Sequence, residues 1–186
     1  MKRWFYLIVI LQLLFLVVEA GTKQLEISRG QVVTLKVVPV DPRSLFMGNY
    51  MALSYDISNL NLAKIPHEGA LAAYDKYDTK VYVELVPQKP WAVAKAIRLT
   101  PPPPEENKLY LQARVRYGFS PRDKSMLAVE YGLEQYFIPE TKQEEVNRMQ
   151  WNPRGKTPQI TAEISVTKKG QGYIKRVLVE GKALGY

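Results

Sequence analysis

From residue 23 onward the apolar and polar positions alternate with a period of two, not 3.6. In QVVTLKVV (31–38) Val33, Leu35 and Val37 alternate with Val32, Thr34 and Lys36, which predicts a strand with one deeply buried face. In NYMALSYDI (49–57) Met51, Leu53, Tyr55 and Ile57 fall on one face and Tyr50, Ala52, Ser54 and Asp56 on the other. The same alternation recurs at 80–86, 91–99 and 109–117, where Leu111, Ala113 and Val115 oppose Gln112, Arg114 and Arg116. Further strands are predicted at 126–131, 158–167 and 173–180. The last two are joined by KKGQG (168–172), whose glycines supply the positive φ angles of a short hairpin loop. These patterns predict a mainly β protein, an antiparallel sheet system built as a sandwich or a partly open barrel.

Four stretches depart from that period. Trp4 to Val18 is apolar with Gln12 as the sole polar interruption, and Lys2 and Arg3 precede it. No polar face exists over four turns, so a buried or surface helix of the β domain does not fit, and the segment reads as an N-terminal membrane or signal helix. Its length of about 22 Å is short of the ~30 Å hydrocarbon core, and Val18 and Ala20 precede Gly21 as a signal peptidase requires. A retained anchor fits as well, with Trp4 and Tyr6 at one interface and Glu19 at the other. Either way residues 1–20 form the targeting element, its N-terminus stays cytoplasmic, and 21–186 is exported as one β-rich domain.

DPRSLFMG (41–48) can form a single turn capped by Asp41. TKQEEVNRMQ (141–150) predicts one short helix, because Thr141 and Glu144 make a capping box and Pro153 stops it. TPPPPEENK (100–108) cannot pair in a sheet. Its proline-rich core, 100–104, is expected to be a surface loop, with a subdivision into two half-domains there as the alternative.

Charge and composition narrow the chemistry. Of 26 basic and 18 acidic residues, Lys2, Arg3 and Glu19 lie in the targeting element, so the remainder carries +7 of the total +8. With no cysteine in the chain, disulfides, thiolate nucleophiles and thiolate metal sites are excluded. A basic group made of Arg114, Arg116, Lys168, Lys169, Lys175 and Arg176, interleaved with Tyr110, Tyr117 and Tyr173, has the mixture that nucleic-acid binding uses. Export argues against nucleic acid. The expected partners are the membrane, through residues 4–18, and an envelope protein, an anionic headgroup or an acidic envelope polymer, while the leading reading of the basic group itself is a surface that only keeps the domain soluble.

Candidate catalytic groups are sparse. His67 is the single histidine, and one imidazole supplies one ligand where a metal site needs several, so no metal or cofactor is expected. A serine–lysine pair would draw on Ser44 or Ser54 with Lys80 or Lys95, yet both lysines fit solvent-facing strand positions. Asp56, Glu84, Glu130 and Glu134 are the strand-borne carboxylates from which a hydrolytic pair would have to come.

One stretch is distinctive. GNYMALSY, Gly48 to Tyr55, resembles the motif that names the GDYXXLXY family of small bacterial membrane-anchored proteins, with Gly48, Tyr50, Leu53 and Tyr55 matching and Asn49 in place of the aspartate. The Asp-Pro-Arg lead at 41–43 and EYGLEQYFIPE (130–140) are similar to further blocks of that family. The resemblance implies an N-terminal membrane segment and an exported, mostly β domain, and it carries over no catalytic residue. The sequence thus favours a membrane-anchored, non-enzymatic binding or structural module of the cell envelope; an exported hydrolase with a carboxylate or serine site is the rival.

Overall fold

The computed structural model describes residues 2–38, 50–103, 106–117, 125–138 and 159–184. The expected turn at 41–48 and helix at 141–150 lie outside the described residues, as do Ser44, Gly48 and Asn49. Of Tyr50 and Tyr117 only the backbone is described.

The chain begins with one long helix, α1 (Lys2–Ser28), whose apolar window is not buried at all by the rest of the protein. It runs past Ala20 and Glu19 without a break, so residues 23–28 are helical where the period-two reading began. Its last turns are held from outside. The Ser165 hydroxyl donates to Ile27 O at 2.6 Å, satisfying one of the carbonyls that every helix C-terminus leaves without an intrahelical partner. Gly30 then turns the chain into the first strand. A Cβ there would lie 2.2 Å from Ser165 Oγ and 3.0 Å from Val166 O, so the corner admits only glycine without a shift.

Twelve strands follow among the described residues: β1 (Gln31–Val38), β2 (Tyr50–Ala52), β3 (Ser54–Tyr55), β4 (Asn59–Asn61), β5 (Lys80–Val86), β6 (Val93–Arg98), β7 (Tyr110–Tyr117), β8 (Met126–Glu130), β9 (Gln135–Phe137), β10 (Ile160–Val166), β11 (Gly172–Val179) and β12 (Lys182–Leu184). They form two five-stranded sheets, ordered β12-β11-β10-β1-β3 and β4-β8-β7-β5-β6, and a two-stranded ladder β2-β9. Every ladder between these strands is antiparallel, as the alternation predicts. Strands from both sides of the proline tract occur in each large sheet.

The inward residues of the two sheets meet in one core. Val33, Leu35 and Val37 of β1, Ala162 and Ile164 of β10 and Val177 of β11 join Val81 and Val83 of β5, Leu111 and Val115 of β7 and Leu127 of β8. The sheets are also stitched by backbone bonds. Ala92 N–H reaches Thr34 O at 2.8 Å, covering the edge of β1 that β3 is too short to pair, and Gln112 N–H reaches Gly170 O at 2.7 Å.

The stretch 50–57, expected as one strand, is two. β2 pairs with β9, and β3 pairs with β1, so the chain changes sheets at Leu53. The N–H of Leu53 finds Glu134 O at 2.7 Å instead of a ladder partner. A 3-10 turn, Asp56–Ser58, follows. The alternation survives the switch, with Met51, Leu53, Tyr55 and Ile57 all buried.

Candidate functional site

Two regions hold part of what the sequence singles out: the segment 50–57, with the described part of the motif, and the junction between α1 and the β10–β11 hairpin, with Lys168 and Lys169.

In the first, the segment 50–57 is bound reciprocally to 131–137. The phenol of Tyr55, fully buried, donates to Leu133 O at 2.7 Å. The phenol of Tyr131 answers from the other side, donating to Ile57 O at 2.6 Å. Tyr131 N–H bonds Glu134 Oε1 at 2.6 Å, which closes the turn that presents Leu133 and Glu134 to the motif. The β2-β9 ladder adds Tyr50↔Phe137, Met51↔Tyr136 and Ala52↔Gln135, and Tyr136 OH ties the far end to Leu184 O at 2.9 Å. Burial, helped by the nearby Glu134 carboxylate, pushes both phenols well above the usual tyrosine range, so each stays a neutral donor. Leu53, 3% exposed, packs into the core between these bonds.

In the second region α1 lies against the hairpin. Lys23 Nζ donates to Gln171 Oε1 at 3.1 Å and stands 5.0 Å over the Tyr173 ring. Glu26 is approached by Lys23 at 3.7 Å and by Lys169 at 3.9 Å. The hairpin tip is fixed by Gly170, at φ +78° with the Tyr110 ring and backbone against it, and by Tyr110 OH donating to Lys168 O at 3.1 Å. A side chain at position 170 would meet that ring.

The six basic residues grouped by sequence do not share one face. Arg114 and Arg116 lie on the outer side of the β4-β8-β7-β5-β6 sheet, where Arg114 pairs with Asp78 at 2.7 Å and Arg116 with Glu130 at 2.9 Å. Arg176 lies on the outer side of the other sheet and forks onto Glu163 at 2.6 and 2.9 Å. Those carboxylates hold the Arg114 and Arg176 guanidinium groups above their ordinary range. Lys175 is exposed at the irregularity where β11 slips against β10. Lys168 and Lys169 alone lie beside the end of α1. The phase of each strand was legible; which sheet it would join was not.

The model of the GDYXXLXY protein family matches residues 12–177. The chain belongs to the GDYXXLXY family. No curated protein and no solved structure matches it. In this GDYXXLXY chain the described parts of two of the blocks that carried the resemblance, 50–55 and 130–138, lie in the junction that the tyrosines bolt together. Leu53 and Tyr55 are packing residues of that junction.

Of the catalytic candidates of the GDYXXLXY chain, Ser44 lies outside the described residues, and Glu84, Glu130 and Glu134 are engaged by neighbouring groups. Glu84, 5% exposed, lies between Lys95 at 3.7 Å and Lys108 at 3.4 Å. Glu130 pairs with Arg116, and Glu134 holds the Tyr131 turn. Asp56 is exposed on the 3-10 turn. Lys80 is exposed, as is Lys95, and Ser54 sits in the short β3 ladder opposite Val38. His67 is exposed in a loop and meets the Tyr74 ring edge-on at 6.2 Å. Among the described residues no three His, Asp or Glu side chains converge as metal ligands would.

Sequence reasoning missed Tyr131, Ser165, Lys23 and Arg29. Ser165 had a signal: a hydroxyl flanked in sequence by Ile164 and Val166 must find a partner if it is buried. Tyr131 had none, because its partner lies far away in sequence.

Proposed function

We propose that this GDYXXLXY chain is a membrane-anchored cell-envelope protein, with Lys2 and Arg3 cytoplasmic and the β domain extracytoplasmic, serving as a non-enzymatic binding or structural module. The observation that carries this reading is α1. Its apolar side chains from Trp4 to Val18 are exposed along the helix, apart from a partly covered Val9, and the helix passes unbroken into the fold. The apolar run from Trp4 to Val18 measures about 22 Å, a mismatch that local thinning of the bilayer absorbs with Glu19 at the far interface. Positive charge before the span favours a cytoplasmic N-terminus. The ion-paired or hydrogen-bonded state of Glu84, Glu130 and Glu134 favours binding over hydrolysis.

The test has two parts. A reporter fused after Tyr186 should be active only outside the cytoplasm, and the membrane fraction should hold the full-length chain through an alkaline wash, with an intact N-terminus by mass spectrometry. A mature N-terminus at Gly21 would replace the anchor with a cleaved signal, and an active cytoplasmic reporter would overturn the topology.

A further inference from the structure

We infer that the cleft where α1 enters the β domain binds the phosphate of an anionic lipid headgroup in the membrane that α1 crosses. This rests on the anchor reading. The direction of the hairpin is fixed by two contacts. Stepping back along α1 from Ile27 to Lys23 is one turn, about 6 Å toward the apolar segment, and the partner changes from Ser165 to Gln171. The turn of the β10–β11 hairpin, Thr167 to Gln171, is therefore aimed down α1 toward the bilayer.

The start of β1 is at this end, since Gln31 is paired with Val166, and so is the start of β7, through Tyr110 and Gln112. Between them opens a cleft of about 400 Å³ lined by Arg29, Lys108, Lys168, Tyr110, Pro102 and Pro103. Arg29 and Lys168 are exposed and form no ion pair with a described residue. Lys108, the third cation, is shared between Glu84 at 3.4 Å and Glu106 at 2.6 Å. Among the described residues the cleft thus keeps two positive charges without a paired carboxylate, with a phenol and proline rings beside them for the less polar part of a headgroup.

Its height fits. Arg29 lies about 15 Å along the helix beyond Glu19, the end of the apolar run, the polar layer takes up roughly 5 to 8 Å of that on this side of the bilayer, and a long basic side chain reaching back toward it covers the rest. An acidic polymer approaching from the side would meet the outer sheet faces instead. There Arg114, Arg116 and Arg176 are already answered by Asp78, Glu130 and Glu163, and the exposed Lys80 and Lys175 stand singly on different sheets.

The absence of cysteine makes a direct experiment simple. Full-length protein in nanodiscs of phosphatidylcholine, with or without phosphatidylglycerol, carries a fluorophore on Lys169→Cys at the hairpin tip or on Lys182→Cys at the opposite end of β11. A headgroup spin-labelled lipid should quench the first several-fold more than the second. In the otherwise unaltered chain, Arg29→Gln with Lys168→Gln should lower the preference for phosphatidylglycerol over phosphatidylcholine, read from lipids retained in native mass spectrometry, by roughly 30-fold, the surface attraction of two cations. Thermal unfolding of the variant checks that it folds. Equal quenching at both positions in an alkaline-resistant protein, or an unchanged lipid preference in the folded double variant, overturns the cleft and leaves the anchor standing. Release of the chain by alkaline wash overturns the anchor and the cleft with it.

Discussion

Tyr55→Phe and Tyr131→Phe test the junction between the two family blocks, and they do so twice, at neutral and at alkaline pH. At neutral pH each change removes a phenol that donates at 2.7 or 2.6 Å and leaves the carbonyl of Leu133 or Ile57 buried without that donor. An orphaned buried acceptor costs about 1 to 3 kcal/mol, or roughly 2 to 9 °C in melting temperature for a chain of this size. At high pH the sign reverses for the phenol itself. Burial raises both tyrosines in the folded state, so above pH ~10 the unfolded chain releases these protons while the folded one keeps them. The folded state then binds more protons, and stability falls as pH rises, by about 1.4 kcal/mol per pH unit for each such phenol. Urea midpoints of the full chain in detergent, measured from pH 7 to 11.5, should show each single variant losing stability less steeply above pH 10 than the wild type. Lysines titrate in all three proteins, so the difference isolates the phenol. A neutral-pH change below about 0.5 kcal/mol together with an unaltered alkaline slope would refute the lock.

Leu53→Ala should cost about 2 to 5 kcal/mol in chemical unfolding, because the side chain is 3% exposed inside the shared core. Gly30→Ala should destabilise by about 1 to 3 kcal/mol through collision with Ser165 and Val166. That penalty should shrink in a Ser165→Ala background, and a cycle showing no coupling would count against the tight corner. Arg114→Ala should change stability by at most about 1 kcal/mol, since it and Asp78 are both more than half exposed, and a larger loss would show that the outer face is covered.

The residues that build the core were legible because β1, β7 and β10 present one apolar face each, and period two reports that face directly. β5 shows the limit of the rule. KVYVELV reads as half-buried, yet Tyr82 and Glu84 on its outer side are buried as well. Tyr110 on the neighbouring strand packs edge-on against Tyr82 at 5.8 Å, and Lys95 and Lys108 close over Glu84. That cover comes from other strands and leaves no mark in the local pattern. The three-residue strands β4, β9 and β12 are too short to display a period at all. The end of α1 was illegible for a related reason, because TKQLEIS has no marked helical stripe and its carbonyl at Ile27 is satisfied by a serine from the far end of the chain. Leu53 and Tyr55 were readable as packing residues, whereas their partners at 131–134 followed only from the fold.

The bond between Ser165 and Ile27 spans 138 positions, and β1 meets β10 across nearly the same distance. A ribosome delivers these partners in the wrong order for quick pairing. At about 5 to 20 residues per second, roughly 7 to 28 s separate the appearance of α1 from that of the serine that caps it. Throughout that interval β1 has only the two-residue β3 ladder and the bond from Ala92, and lacks the seven-residue β10 ladder that pairs most of its length. The sheet therefore closes late, after nearly the whole chain has emerged. A stalled or truncated product ending before residue 160 would carry α1 and β1 without the β10 ladder and without the serine that meets the end of the helix.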